Sequence, residues 1–376
     1  MAKMAKTAKK TAKPIVAKAP ATRRSVVAVR PEDYLDDLLG MRGEEAPDFA
    51  MLSSALFAQV SERIPTGSLG IDRLIGGGWP VGRIIEVAAW EGVGKSTILD
   101  QSAAQCQRTG GIVALIDSEQ ARDLKYTRAL GVDVDRCILA DVDDIEGGFE
   151  QLDKIIAVQS AKREALGPKR ISELPRLLVI WDSIGGTPAR EELKGAPDDS
   201  HVSPAARAIS ENFRRITVQI MVNKITLVFA NHFYQQIGGF GGLKTYGGKG
   251  VRYYPSIRLW LTRGDSLKIG DRIVGHQVEA KVRKTKVGSP RAPTTLGLVH
   301  MGGIDNSFTL FEWGLKAESS PGEKWIATSG AHRYLRPPGR EPIHFQRGFS
   351  GLGPILNEHP DIYSEMAAGY LASPDL

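Results

Sequence analysis

The chain has little cysteine: 376 residues carry only Cys106 and Cys137. Two such residues form neither a disulfide framework nor a metal-ligand spacing, which fits a reducing compartment and points to the cytoplasm. No run approaches the roughly 20 apolar residues of a membrane span, so no membrane partner is expected. Acid is missing from residues 1–30, which hold nine Lys or Arg and no Asp or Glu. Of 49 basic residues, 40 therefore lie beyond position 30 against 43 acidic ones, so the +6 of the whole chain hides a remainder near −3. This Lys/Ala/Thr/Pro-rich tail reads as disordered. It either touches nucleic acid or only solubilises. Its arginines, Arg23, Arg24 and Arg30, all lie in the last eight positions, unlike an Arg-rich transit peptide.

What is present is an ordinary globular composition, 42% apolar and 24% charged. The length suggests two or three domains around one sizeable core. The strongest motif is Ala89-Trp90-Glu91-Gly92-Val93-Gly94-Lys95-Ser96, between an apolar run at 83–88 and a helix-like stretch at 97–108. Strand, Gly-rich loop, Gly-Lys-Ser and helix together bind nucleoside triphosphates. Gly92 and Gly94 let backbone N–H groups turn onto phosphates above a helix N-terminus. Lys95 is expected at the β- and γ-phosphates, and the Ser96 hydroxyl on Mg²⁺. Glu91 and Val93 complete the loop, and Thr97 opens the helix.

From about residue 64 to 299, apolar strands alternate with longer amphipathic segments, the mark of an α/β sheet. Apolar runs at 112–116, 177–181 and 226–230 end in Asp117-Ser118-Glu119, Asp182-Ser183 and Asn231-His232. Chemistry in open α/β sheets lies at the carboxyl ends of strands. Glu119, Asp182 and His232 are therefore expected to converge on the phosphate loop. Asp182 sits as a Walker B carboxylate does, holding the Mg²⁺ shell, though a strand-end Asp is also a common turn residue. Glu119 is the candidate for polarising an attacking water; its structural alternative is a helix N-terminal acid.

Several further runs make the pattern specific. They are Ile64-Pro65-Thr66-Gly67-Ser68-Leu69, Gly82-Arg83-Ile84-Ile85-Glu86, Ile116-Asp117-Ser118-Glu119, Leu130-Gly131-Val132-Asp133, Asp199-Ser200-His201 with Ala205-Ala206-Arg207, and 281–290 with 310–316. In this order they closely resemble bacterial RecA recombinases, from about residue 60 to the C-terminus. The resemblance implies an α/β fold: a RecA-like P-loop ATPase core with a central mostly parallel sheet at 64–300. Outside that core, composition marks the basic tail at 1–30, two short helical patterns mark a small N-terminal helical, oligomerising segment at 31–63, and turns with a short helical end mark a small α+β C-terminal domain at 301–376.

By the same resemblance, Glu119 is the catalytic glutamate, and Asp123 and Tyr126 contact adenine. Lys284 and Lys286 reach a neighbouring subunit's γ-phosphate across a filament interface. Without the resemblance, that basic run reads as a solvated strand face or a nucleic-acid patch. Two stretches look like the family's DNA-binding loops, at 191–202 and 233–250. Around the first stand Val202, Arg207, Arg214 and Arg215. In and after the second stand Ile237, Gly238, Lys244, Gly247, Gly248, Lys249 and Arg252. Basic and aromatic residues on a Gly-rich loop suit single-stranded DNA, whereas a plain surface loop is the alternative.

Ala89, Trp90, Val93, Val202 and His232 depart from the family pattern, and two of these departures bear on the site. Ala89 stands for a glycine, which is costly only where φ is positive. His232 stands for a glutamine that senses the γ-phosphate; histidine also donates a hydrogen bond but can titrate. The implied activity is ATP- and Mg²⁺-dependent strand exchange by a self-assembled filament on single-stranded DNA, paired with double-stranded DNA. The alternatives are an accessory ATPase or helicase on the same core, and a filament that binds ATP and DNA with little hydrolysis.

Overall fold

The computed structural model describes residues 62–195, 203–235 and 242–373. The tail and nearly all of the N-terminal segment lie outside the described residues, as do Val202, Ile237 and Gly238. The core begins with β1 (Ile84–Ala89) and α1 (Lys95–Arg108). Next come β2 (Ile112–Asp117), α2 (Leu124–Ala129), β3 (Cys137–Asp141), α3 (Ile145–Leu166) and β4 (Leu177–Asp182). Then follow α4 (Pro204–Val222), β5 (Ile225–Tyr234), α5 (Gly248–Tyr253), β6 (Ile257–Ile269), β7 (Arg272–Thr285), β8 (Thr294–Val299) and β9 (Gly303–Asp305).

One sheet runs in the order β9-β8-β7-β6-β1-β5-β4-β2-β3. The six strands from β6 to β3 are parallel to their neighbours, and β7, β8 and β9 extend the sheet antiparallel. The sequence dictates this split. Every residue of β1 and of β4 is buried, as strands covered on both faces must be. The longer β6 alternates or is exposed along much of its length. One face is sealed by Ile98, Leu99 and Ala103 of α1. The other packs Phe149, Trp181, Phe213 and Phe229, with Phe213 5.6 Å from Phe149 and 5.4 Å from Phe229 between ring centres.

Beyond β9, a helix at Asn306–Gly314, a three-stranded sheet within 326–345 and helices at Phe349–Glu358 and Pro360–Ala372 enclose a third apolar cluster. Leu310, Trp313, Leu352 and Met366 lie in it. No helix among the described residues is long and apolar enough to cross a membrane.

Two expectations are corrected. The strand carrying His232 does not end at Ala230; β5 continues to Tyr234. Within the stretch expected as a loop at 233–250, the described residues include secondary structure: Lys244–Thr245 pairs antiparallel with Phe233 and Tyr234, and Gly248 and Lys249, with Arg252 after them, belong to α5. The reason is packing. A Cβ on Gly250 would stand 2.6 Å from Ser210 Oγ, and one on Gly247 3.2 Å from Ile209 Cδ1. Glycine here lets α5 lie close against α4.

Candidate nucleotide site

Parallel register gathers the site. Ala89 is the partner of His232 across β1 and β5, and Asp117 is the partner of Asp182 across β2 and β4. Gly92 (φ 70°) and Gly94 (φ 112°) turn the chain from β1 into α1 in left-handed conformations that an L side chain rarely adopts. Ala89 lies inside β1 and is not among the residues with positive φ, so its methyl group is unstrained. Val93 is buried in the core, whereas Glu91 and Ser96 are exposed.

The Lys95 ammonium donates to the Trp90 carbonyl at 3.3 Å and approaches His232 Nδ1 at 3.4 Å. Burial pulls the Lys95 pKa down, opposed by Asp182, Glu119 and Glu91. On the far side of the ring, His232 Nε2 lies 3.0 Å from Glu119 Oε1 and 3.0 Å from Ser183 Oγ, and the Ser183 hydroxyl donates to the same Glu119 oxygen. A proton on Nε2 satisfies this arrangement: Nε2–H points at the carboxylate, and Nδ1 accepts from Lys95. One imidazole thus connects the phosphate-loop lysine to the glutamate. The His232 bond, with Ser183 and Lys95, holds the Glu119 carboxyl at about 2 despite its partial burial.

Asp182 is buried at the end of β4, and burial pushes its pKa up against the pull of Arg122 and the Ser96 hydroxyl. Its Oδ2 accepts from Arg122 at 3.2 Å, while Oδ1 is buried with no partner. An orphaned carboxylate oxygen and the Ser96 hydroxyl on one cleft wall fit a hard, oxygen-seeking cation such as Mg²⁺. Glu119, Asp123 and Tyr126 line the same cleft. Asp123 caps α2 by accepting from Lys125 N at 2.8 Å, and the Tyr126 hydroxyl lies 3.0 Å from Thr97 Oγ1.

The remaining expected residues are placed apart from that cleft. Lys284 donates to the carbonyls of Arg252 (2.6 Å) and Tyr253 (2.8 Å), and Lys286 to Tyr253 (2.6 Å). Both lysines therefore cap the last turn of α5, whose carbonyls lack helical partners. Burial and the adjacent Lys286 bring the Lys284 pKa down to about 8. On α4, Arg207 is 4.0 Å from Glu191, Arg214 reaches the Tyr254 hydroxyl at 3.4 Å, and Arg215 pairs with Asp153 at 2.6 Å. Lys249 and Arg252 are exposed on α5, and Lys244 is half-buried in its short strand.

From the sequence, four residues of the site carry no role: Asp100 and Arg122, and Asp117 and Ser183, which read only as strand-end positions. Their signal was weak. Asp100 is one helical turn after Ser96, an acid on the inward face of the phosphate-loop helix.

Fold and site together define a P-loop nucleoside-triphosphatase with a RecA-like core. The family model for the RecA N-terminal domain matches residues 50–305. Similar relatives include Protein RecA of Thermotoga neapolitana, 32% identical over 82% of this chain and 83% of its own. Protein RecA of Acidothermus cellulolyticus is 34% identical over 81% of each chain, and that of Nocardioides sp. 35% over 68% of this chain and 70% of its own. The chain belongs to the RecA family.

Two outcomes follow from the loop and its glutamate. Gly94→Ala should cost about 1–3 kcal/mol of stability and impair ATP binding, because it forces a side chain to positive φ. Ala89→Gly should cost no more than about 1 kcal/mol. Thermal melts and nucleotide titrations compare them; equal effects would contradict the loop geometry. The Glu119 carboxyl is lowered from 4.5 to about 2 on folding. Its stabilising contribution is therefore present above pH 4.5 and is lost as pH falls toward 2. Urea unfolding should show the stability gap between wild type and Glu119→Gln narrowing across that window. A constant gap would mean that the carboxylate is not held by His232 and Ser183.

Proposed function

We propose that these residues serve an ATP-dependent recombinase that assembles on single-stranded DNA and exchanges its strand with a homologous duplex. The observation that carries the reading is the chain of contacts from Lys95 through His232 to Glu119 beside the Ser96–Asp182 metal corner. Lys95 would bind the β- and γ-phosphates. Glu119, ionised and fixed by two donors, would orient and deprotonate the attacking water. Ser96 and Asp182 would hold Mg²⁺, which supplies positive charge against the phosphates. Asp123 and Tyr126 would flank the base. The fixed donors give binding and positioning, the two terms that dominate phosphoryl transfer.

The DNA side rests on the basic residues of α4 and α5 with the short strand between β5 and α5: Arg207, Arg214, Lys244, Lys249 and Arg252, beside Gly247 and Gly248. Val202, Ile237 and Gly238 enter by the family resemblance alone. A buried network supports a link between the two sites. Asn231, next to His232, donates to Glu86 Oε1 at 2.8 Å and to the Tyr246 carbonyl at 3.0 Å. Arg258 pairs with Glu86 and donates to Thr245 Oγ1 at 2.9 Å. A pull on β5 at His232 therefore reaches residues 245 and 246 directly. The segment 301–376 would help gather duplex DNA as a domain of its own. The work would be done in the cytoplasm, where Cys106 and Cys137 remain free thiols; recovery in another cell fraction would contradict that placement.

His232→Gln should keep nucleotide-dependent DNA binding, because glutamine also donates a hydrogen bond. His232→Ala should leave ATP affinity near normal while DNA affinity no longer responds to an ATP analogue. Measurements are compared at one salt concentration, since phosphate contacts are salt-sensitive. A full nucleotide response in the alanine variant would make His232 structural.

Lys284 and Lys286 would leave the α5 carbonyls and act on a neighbour's phosphates once protomers assemble. The double variant Lys284→Ala/Lys286→Ala should bind ATP yet lose DNA-stimulated turnover. Mixing it with Glu119→Gln should restore part of that turnover, at interfaces joining two intact halves. No recovery in mixed filaments rules out action in trans, and a wild type with no DNA-stimulated turnover refutes the whole reading.

A further inference from the structure

Arg122 lies in the wall of the nucleotide cleft, and its side chain is only 11% exposed. It forms an ion pair with Asp100, places NH2 3.2 Å from Asp182 Oδ2, and places Nε 3.8 Å from Asp117 Oδ2. The three carboxylates come from α1 and from the ends of β2 and β4. Asp100 is held a second time by the Thr127 hydroxyl of α2, at 2.8 Å. Asp117 Oδ1 accepts the N–H groups of Glu119 (3.1 Å) and Gln120 (3.0 Å). One guanidinium thereby fastens the phosphate-loop helix to both strand ends and to the segment that carries Glu119.

Its fork explains the state of Asp182. Oδ2 is engaged, and Oδ1 is left buried without a protein partner. A lone carboxylate in such a position would rotate or turn toward another donor. A planar, permanently charged fork held by a second acid fixes one oxygen and leaves the other over.

We propose that Arg122, seated on Asp100, is a positioning residue for the metal site: it holds the Asp182 carboxylate so that Oδ1 stays available to the cation. The proposal rests on the reading of Ser96 and Asp182 as the metal corner. Arg122 touches neither nucleotide nor metal in this scheme; it acts through Asp182.

The test separates positioning from charge and from folding. Removing Arg122 alone strands buried acids and is destabilising. The double variant Asp100→Leu/Arg122→Leu keeps the net charge and replaces the Asp100–Arg122 pair by apolar side chains, a change that buried pairs often tolerate, though Asp117 and Asp182 lose the guanidinium as well, so its folding is checked by thermal melt first. Arg122→Lys keeps the charge without the fork. Binding of a fluorescent ATP analogue is titrated with Mg²⁺ at fixed nucleotide, and again in chelator without metal.

In the double variant the Mg²⁺ midpoint should rise about ten-fold, the scale of lost outer-shell support. Arg122→Lys should move in the same direction, and metal-free nucleotide affinity should stay at the wild-type value in both. Midpoints within about two-fold of wild type, far below that scale, overturn the proposal; where the double variant does not fold, Arg122→Lys alone decides. Asp182→Asn runs beside them. If it leaves the midpoint unchanged, the metal reading of the corner fails and this proposal with it. If it raises the midpoint while the Arg122 variants do not, only the role of Arg122 fails.

Discussion

Acids cannot be gathered in a dry cleft without a matching set of donors, and this constraint governs the site. Asp100, Asp117, Glu119 and Asp182 share one pocket wall. Left unpaired, buried carboxylates take up protons or unfold their surroundings. Arg122 answers three aspartates, Ser183 and His232 the glutamate, and backbone N–H groups Asp117 a second time. Among the described residues, Asp182 Oδ1 is the buried carboxylate oxygen left without a partner, and in the proposed reading a cation would take that place. Lys95 adds a cation that burial makes less basic, and the carbonyls of Ala89 and Trp90 accept from it.

Parallel strands explain why so much of this was legible. A strand covered on both faces takes few polar side chains, and in β2 and β4 the first polar residue, Asp117 and Asp182, is also the last; β1 with its buried Glu86 and β5, which runs past Asn231 to Tyr234, are the exceptions. Reading Asp182 and Glu119 as strand-end groups needed nothing more. The register then fixes His232 beside Ala89 and Asp182 beside Asp117. Asp100 and Arg122 were not legible for the opposite reason. Each is a charged residue in or beside a short helical segment, which ordinarily means a solvated face. Only the crossing of α1 over β2 and β4 makes them neighbours.

Glycine misled for a related physical reason. A run containing Gly238, Gly239, Gly241, Gly242, Gly247 and Gly248 reads as an open loop, because a residue without Cβ favours flexibility. The same missing Cβ permits a helix to pack closely on another, and the second half of the run does so: Gly250 against Ser210 and Gly247 beside Ile209. Spacing in a sequence does not tell the two uses apart. Between them, Arg258 and Asn231 fix the corner where Thr245 is buried and Tyr246 exposed.

The two departures from the family pattern then carry unequal weight. Ala89 lies in strand conformation with its methyl group buried in the core, so the loop needs its positive φ only further on, at Gly92 and Gly94. His232 changes more. A glutamine amide offers one donor and one acceptor at the end of a flexible stem, and a rigid imidazole offers them on opposite sides of a ring. That shape suits a residue bridging Lys95 at 3.4 Å on one side and Glu119 at 3.0 Å on the other. With Asn231 tied to Tyr246 immediately beside it, the ring touches the lysine and the glutamate, and its strand carries the pairing with Lys244 and Thr245. In the proposed reading, a phosphate bound at Lys95 would disturb all three together, and a rotation at His232 would pass that change to Glu119 and toward the basic surface of α5.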